Sequence, residues 1–157
     1  FQAQNNSSKT DNILDFACTM PFFKYFSREQ VANLMAASST VKCRSGDVIV
    51  KEGETDDTLY VILSGSVSVF KKDRKIADIA QGECFGEMAY LSQQPRNSTV
   101  IANTDCLLLK ISSTLMSRQP EAVQLLFMKS FAITLSGRLA NDNRFISYFM
   151  RRAQPNL

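Results

Sequence analysis

The sequence predicts a mainly β chain with flanking helices: an antiparallel barrel of β-roll or jelly-roll type, between N-terminal helices and one long C-terminal helix. Three observations carry that expectation. Between Val41 and Ile111 the chain breaks into short β-branched or alternating runs separated by turn residues, as an all-β barrel does. On either side of this region the apolar period becomes helical. The length of 157 residues, with 45% hydrophobic and 21% charged residues, fits a single domain; chains near this size bury roughly 70% of their unfolded surface.

Residues 1–10, FQAQNNSSKT, are polar and aperiodic and read as a flexible lead-in. The domain is expected over 11–150, with helices in 11–40, the barrel in 41–111, further helices in 112–150 and a tail at 151–157. Ile13, Leu14, Ala17 and Cys18 form a first helical stripe that Pro21 closes. Ser27 and Gln30 then make a capping box, with Phe26 as its staple and Val31, Leu34 and Met35 as the buried face. The strand runs are VKC, VIV, LYVILSGSVSVF, KIADIA, STVIAN and CLLLKI. Between them lie turns at Ser45-Gly46-Asp47, Glu52-Gly53-Glu54, Lys71 to Arg74 and Gln81-Gly82-Glu83, all rich in residues that accept tight or left-handed backbone.

After a short turn at Ser113 to Ser117, Pro120 suits the first position of a long helix reaching about Met150. Gly137 is its weak point, at about 1 kcal/mol relative to Ala. Met128, Ala132, Leu135, Leu139, Asp142, Ile146 and Phe149 alternate spacings of four and three, the pattern of a helix–helix seam. Two readings stay open: the stripe packs on the barrel as core, or it forms a homodimer seam. Asp142 is the misfit in both, because an acidic side chain on an apolar seam needs a partner.

Composition removes whole classes of chemistry. The chain has no His, which excludes Ser/His/Asp and Cys/His triads and His-ligated metals, including the metal-binding barrels of cupin-like enzymes. No enzyme, cofactor or metal site is expected. Cys18, Cys43, Cys84 and Cys106 form no CxxC pair and read as free thiols of a cytoplasmic protein, or of the cytoplasmic face of a larger membrane protein. A net charge of +3, with basic residues scattered up to Arg151-Arg152, shows no large phosphate-backbone footprint, and no apolar run is long enough for a membrane span. The chain opens on Phe1 without an initiator Met, as a segment of a longer protein would.

The densest cluster of unusual requirements is Gly82 to Thr99, GECFGEMAYLSQQPRNST. Gly86 permits close backbone approach, and a helical turn starting near Glu87 would aim N–H donors at an anion. Arg96 adds a guanidinium fork suited to phosphate, and Glu87 a carboxylate that can accept hydroxyl protons. A hydroxyl acceptor beside a cradle for one phosphate describes a ribose phosphate site. A structural Glu87–Arg96 ion pair with Gly86 as a plain turn fits the spacing equally well.

FGEMAYLSQQPRNST resembles the phosphate-binding cassette of the cyclic nucleotide-binding domain family, and IVKEGETDDTLYVILSG is similar to the family's upstream signature, with Gly53, Leu59 to Ile62 and Gly65 in register. The resemblance runs from about Asp11 to Met150. It implies a sensor domain like those of Crp-type regulators and kinase regulatory subunits, binding cAMP or cGMP, with the long helix as lid. In the cassette it implies that Phe85, Gly86, Met88 and Ala89 frame the cyclic phosphate, that Glu87 accepts from the ribose 2′-hydroxyl, and that Arg96 neutralises the phosphate. Asn97 and Ser98 would add polar contacts, Val69, Ile76 and Ala77 would line the base, and Asp142 and Asn143 would meet the base edge.

Two positions depart from the family's pattern. Asp56 replaces a small residue in a turn, where no effect on the pocket is expected. Asn97 is neither the Ala or Ser common in cAMP binders nor the Thr that assists guanine recognition, and the missing Thr leans towards cAMP. The implied partners are the nucleotide, the effector domain of a parent protein and a second copy through the C-terminal helix. The alternatives are the sensor half of a Crp-type DNA-binding regulator and a non-binding dimerisation or docking barrel. With no helix-turn-helix before Leu157, this stretch itself is expected to bind neither nucleic acid nor membrane.

Overall fold

A computed structural model describes the backbone of residues 2–152 and the side chains of residues 8–140. The first helix, α1 (Gln2–Thr19), starts at Gln2 rather than at Asp11, so the expected lead-in is helical. Residues 1–20 contain no Gly or Pro to stop a helix running backwards from the amphipathic stripe, and a solvent-facing helix needs no apolar period. A 3-10 turn at Pro21–Phe23 leads to α2 (Arg28–Ala37). The capping box forms there as expected: Gln30 N–H donates to Ser27 Oγ at 3.1 Å, and Ser27 N–H donates to Gln30 Oε1 at 2.9 Å.

Eight strands follow: β1 (Ser39–Cys43), β2 (Val48–Val50), β3 (Leu59–Ser64), β4 (Val67–Lys71), β5 (Arg74–Ile79), β6 (Cys84–Phe85), β7 (Thr99–Ala102) and β8 (Cys106–Ile111). They form two four-stranded antiparallel sheets, ordered β1-β8-β3-β6 and β2-β7-β4-β5. The β4–β5 hairpin turns on Lys72 and Asp73, both at positive φ, the twist a two-residue hairpin requires. Between β6 and β7 sits the short helix α3 (Glu87–Ser92), and after β8 come α4 (Ser113–Ser117) and α5 (Glu121–Arg152). Pro120 therefore stands one place before α5. The expected tail begins inside that helix, and 153–157 lie outside the described residues.

Strand β3 is buried on both faces and divides the core in two. Tyr60 and Ile62 join Val50, Val67, Val69, Phe85, Val100 and Leu108 in the barrel interior, while Leu59, Val61 and Leu63 face the helices. The helical cluster is aromatic. Phe22 meets Phe127 at 5.3 Å and Phe131 at 5.9 Å, and Tyr90 of α3 meets Phe131 at 5.3 Å. The face of α5 that docks is thus Val123, Phe127 and Phe131. The stripe expected at seam spacing lies elsewhere: Met128 is 49% and Leu139 62% exposed, which overturns its reading as core. Seam spacing repeats on any helix face, so it identifies an apolar line without saying which line meets the barrel. Asp142, Ile146 and Phe149 lie outside the residues whose side chains are described.

Phe127→Ala should lower unfolding stability by about 3 to 5 kcal/mol in urea titrations, because the ring is buried among three aromatic neighbours. Leu139→Ala, on the exposed line, should change it by less than about 0.5 kcal/mol.

Candidate functional site

The site grows from the end of β6. Phe85 is 2% exposed and stacks on Tyr60 at 5.1 Å, which anchors the strand end in the barrel interior. Gly86 then adopts φ +88 and caps α3. No other residue fits there: a Cβ would stand 2.6 Å from Arg96 Nη1 and 2.7 Å from Thr58 O. The first bond into α3 runs from Tyr90 N–H to Gly86 O at 3.2 Å, so the N–H groups of Glu87, Met88 and Ala89 precede the helical ladder. Glu87 and Ala89 are buried, while Met88 is half exposed beside them.

Arg96 returns the chain to the same point. Its backbone is fastened to the upstream turn, with Arg96 N–H donating to Glu54 O at 2.8 Å and Gly53 N–H donating to Arg96 O at 2.8 Å. The side chain is 3% exposed. Nη1 donates to Gly86 O at 3.2 Å, and Nη2 donates to Thr58 O at 2.6 Å and to Asp56 Oδ2 at 2.9 Å. Its Nε–H is buried with no partner among the described residues. A buried guanidinium whose Nε–H is left over after its Asp56 pair is chemically able to donate to one further acceptor.

Asp56 contradicts its expected indifference to the pocket, since it is the counter-ion of Arg96 in this structure. Thr58 N–H and Oγ1 both donate to Asp56 Oδ1, at 3.0 and 2.6 Å, which aims the second oxygen at the guanidinium. Burial acts to raise the Asp56 carboxyl, but the hydrogen bonds from Thr58 and Arg96 outweigh it and hold the group below its ordinary value of 3.8. The neighbouring Asp57 accepts from Ser113 Oγ and ties the same turn to α4.

Glu87 is 6% exposed, and its partner is the long helix instead of Arg96: Arg138 Nη1 donates to Glu87 Oε1, and Arg138 Nη2 donates to Cys84 O. A direct Glu87–Arg96 pair is absent among the described residues. Arg138 was invisible to motif reading because it pairs across 51 positions. Its one sequence signal is its place after Gly137, where the helix surface is open, with nothing within 4 Å of an added Cβ.

Among the remaining candidates whose side chains are described, Val69 is buried, Ile76, Ala77 and Asn97 are exposed, and Ser98 is half-buried. Val69 is buried in the barrel interior and faces Ala77 directly across the β4–β5 ladder. Ile76 lies where the register shifts between Val69 and Phe70 and is 55% exposed. Asn97 is exposed next to Arg96, with its Oδ1 accepting from Ser98 Oγ at 2.7 Å. The side chains of Asp142 and Asn143 lie outside the described residues.

Comparison with known proteins agrees with this architecture. The family profile described as "Cyclic nucleotide-binding domain" matches residues 40–119. A cGMP-dependent protein kinase of Toxoplasma gondii is 35% identical over 85 residues, 54% of this chain and 9% of that protein. A cAMP-dependent protein kinase regulatory subunit of Eremothecium gossypii (strain ATCC 10895 / CBS 109.51 / FGSC 9923 / NRRL Y-1056) is 40% identical over 63 residues, 40% of this chain and 14% of that protein. The chain thus spans a small part of these relatives. The crystal structure of the N-terminal domain of a transcriptional regulator from Streptomyces coelicolor A3(2) superposes with a TM-score of 0.64 at 28% identity, over 80% of this chain and 91% of that one.

Two outcomes follow from this geometry. Gly86→Ala forces a Cβ against Thr58 O and Arg96 in left-handed backbone, and thermal unfolding should show a loss of at least ~2 kcal/mol. The Asp56 carboxyl has a depressed folded value, so its contribution to stability is complete above 3.8 and disappears as pH falls through that lower value. The stability difference between the parent and Asp56→Asn, measured by urea titration, should therefore be constant from pH 5 to 7 and shrink below about pH 4.

Proposed function

The chain belongs to the cyclic nucleotide-binding domain family, and from that premise we propose that it is a non-enzymatic, cytoplasmic regulatory module that binds a purine cyclic nucleotide, cAMP in preference to cGMP. The observation that carries the reading is the buried Arg96 guanidinium with its unpartnered Nε–H, beside a glycine that admits no side chain. The cyclic phosphate would take that donor together with the leading N–H groups of α3, framed by Phe85, Gly86, Met88 and Ala89. The ribose 2′-hydroxyl would donate to Glu87. Val69 and Ala77 would offer the base an apolar wall, with Ile76 at its edge and Asn97 and Ser98 adding polar contacts. The preference for cAMP rests on Asn97, which stands where family members that recognise guanine carry Thr.

Glu87 also supplies a route from ligand to long helix. Its carboxylate holds Arg138, and a ribose hydroxyl arriving at Glu87 would compete for the same acceptor. Binding therefore has different free energies for the two placements of α5, which is the condition for a population shift. Asp142 and Asn143, further along that helix, would meet the base as the lid closes. An effector domain of a longer protein would read the movement, and the exposed Met128–Leu139 line suits a second copy. The reading calls for no DNA and no membrane; no described helix is long and apolar enough to cross one.

Calorimetry with cAMP and with cGMP tests the assignment. Arg96→Ala should weaken binding at least tenfold, as the loss of a charge-assisted bond of roughly 1.5 to 3 kcal/mol implies. Affinity equal to the parent's for both nucleotides sinks the assignment. Amide exchange over residues 130–140 should change when cAMP binds the parent and should not respond in Arg138→Ala. Exchange that ignores cAMP in the parent removes the coupling to α5 while leaving the binding assignment intact.

A further inference from the structure

We propose that Cys43 and Cys106 are a reversible disulfide site that staples β1 to β8. The two residues are Cα partners in the antiparallel ladder, the last of β1 facing the first of β8. Directly opposed residues of such a pair project from the same face, with Cα atoms within the span a disulfide bridges and Cβ atoms about 4.5 to 5.5 Å apart. Closing the bond draws the strand ends together by up to about 1 Å, towards the roughly 3.5 to 4.5 Å Cβ separation a disulfide takes. Packing agrees with the register: Cys106 is 5% exposed inside the barrel cluster, and Cys43, half-buried, packs against that same cluster. Cys18 and Cys84 belong to the other side of β3, under the helices. Strand β6, which carries Cys84, is at the opposite sheet edge from β1.

Cys106 Sγ now donates to Ser66 O at 3.2 Å and Thr104 O at 3.1 Å, so it must turn about χ1 to reach Cys43. Ser66 O keeps the Asn103 N–H at 2.9 Å when the Cys106 donor leaves, and Thr104 is an exposed residue. Cys43 is the thiol that solvent reaches. With a peroxide as oxidant, the Cys43 thiolate attacks one peroxide oxygen, giving a sulfenic acid and releasing hydroxide, which takes up the Cys43 proton as water. Cys106 sulfur then attacks the sulfenic sulfur, its proton leaving with the departing hydroxide as a second water. In sum, two thiols lose two electrons and two protons, and one peroxide becomes two waters. Burial raises the Cys43 thiol, so oxidation is slow and needs peroxide in excess. Burial pushes the Cys84 thiol up to about 12, which keeps it out of the exchange.

The closed loop contains residues 44–105 and with them the whole cassette, so the staple removes much freedom from the unfolded chain. It also joins the strand that follows the N-terminal helices to the strand that precedes the C-terminal ones.

The test uses the 157-residue chain with all four cysteines. After hydrogen peroxide and alkylation of remaining thiols under denaturing conditions, non-reducing peptide mapping should show Cys43 joined to Cys106, with Cys18 and Cys84 alkylated. The melting temperature should rise by on the order of 10 °C and return on reduction. Cys43→Ser, at a half-buried position, should fold and show no oxidative rise, and Cys106→Ser should behave the same way. Full alkylation of Cys43 and Cys106 after peroxide overturns the proposal, as does a bond to Cys18, to Cys84 or between two chains.

Discussion

The burial of one positive charge organises the end of the barrel where β6 meets α3. Removing a guanidinium from water costs several kcal/mol unless partners replace its hydration. Arg96 has those partners in two segments far apart in sequence: the Asp56 carboxylate and Thr58 O in the stretch just before β3, and Gly86 O just after β6. Each demand propagates. Thr58 must direct Asp56, Gly86 must lack a Cβ, and the backbone around Gly53 and Glu54 must pair with Arg96 on both sides. The signature turn and the cassette are therefore one unit, although Asp56 and Gly86 stand 30 positions apart. The same geometry leaves the Nε–H without an acceptor among the described residues.

A second charged contact extends this unit to α5. Tyr90 of α3 packs on Phe127 and Phe131, and Arg138 reaches Glu87 and Cys84 O from farther along the same helix. The aromatic contact is apolar, extensive and indifferent to an anion. The ionic contact is a single pair whose arginine side chain is one-third exposed. If a ligand disturbs either, it is the second, while the aromatic cluster keeps the start of α5 docked. A pivot near Phe131 with a releasable end beyond it is the mechanical content of the proposed coupling, and it gives Gly137, next to Arg138, a position between the two contacts.

The parts of this protein legible in its sequence are those that local pattern controls. The capping box at Ser27, the strand runs, the left-handed turn at Lys72 and Asp73 and the unusual demands on Gly86 are all written within a few residues of where they act. Electrostatic pairing is different. Glu87 and Arg96 look like partners because they are near in sequence, yet their partners are Arg138 and Asp56, which only the closed fold brings near. The extension of α1 to Gln2 and the solvent-facing stripe of α5 fail for a related reason. Amphipathic period shows that a helix exists, but neither where a polar continuation ends nor which of two apolar lines is turned inward. The Cys43–Cys106 opposition is a matter of register, to which the spacing of cysteines along the chain is blind.

At the proposed ligand site, Asp56 would compete with an incoming phosphate. An approaching phosphate meets a guanidinium whose Nη2 already faces a carboxylate, so ligand and Asp56 are like charges contending for one cation. The phosphate can take Nε–H while Asp56 stays, at the cost of repulsion, or displace Asp56 into solvent, which its one-third exposed side chain permits. In the second case Thr58 loses the acceptor for its hydroxyl at the foot of β3. A neutral residue at position 56 would leave Arg96 less well held without ligand and more available to it. At the proposed site the carboxylate would thus lower phosphate affinity while holding Arg96 in place.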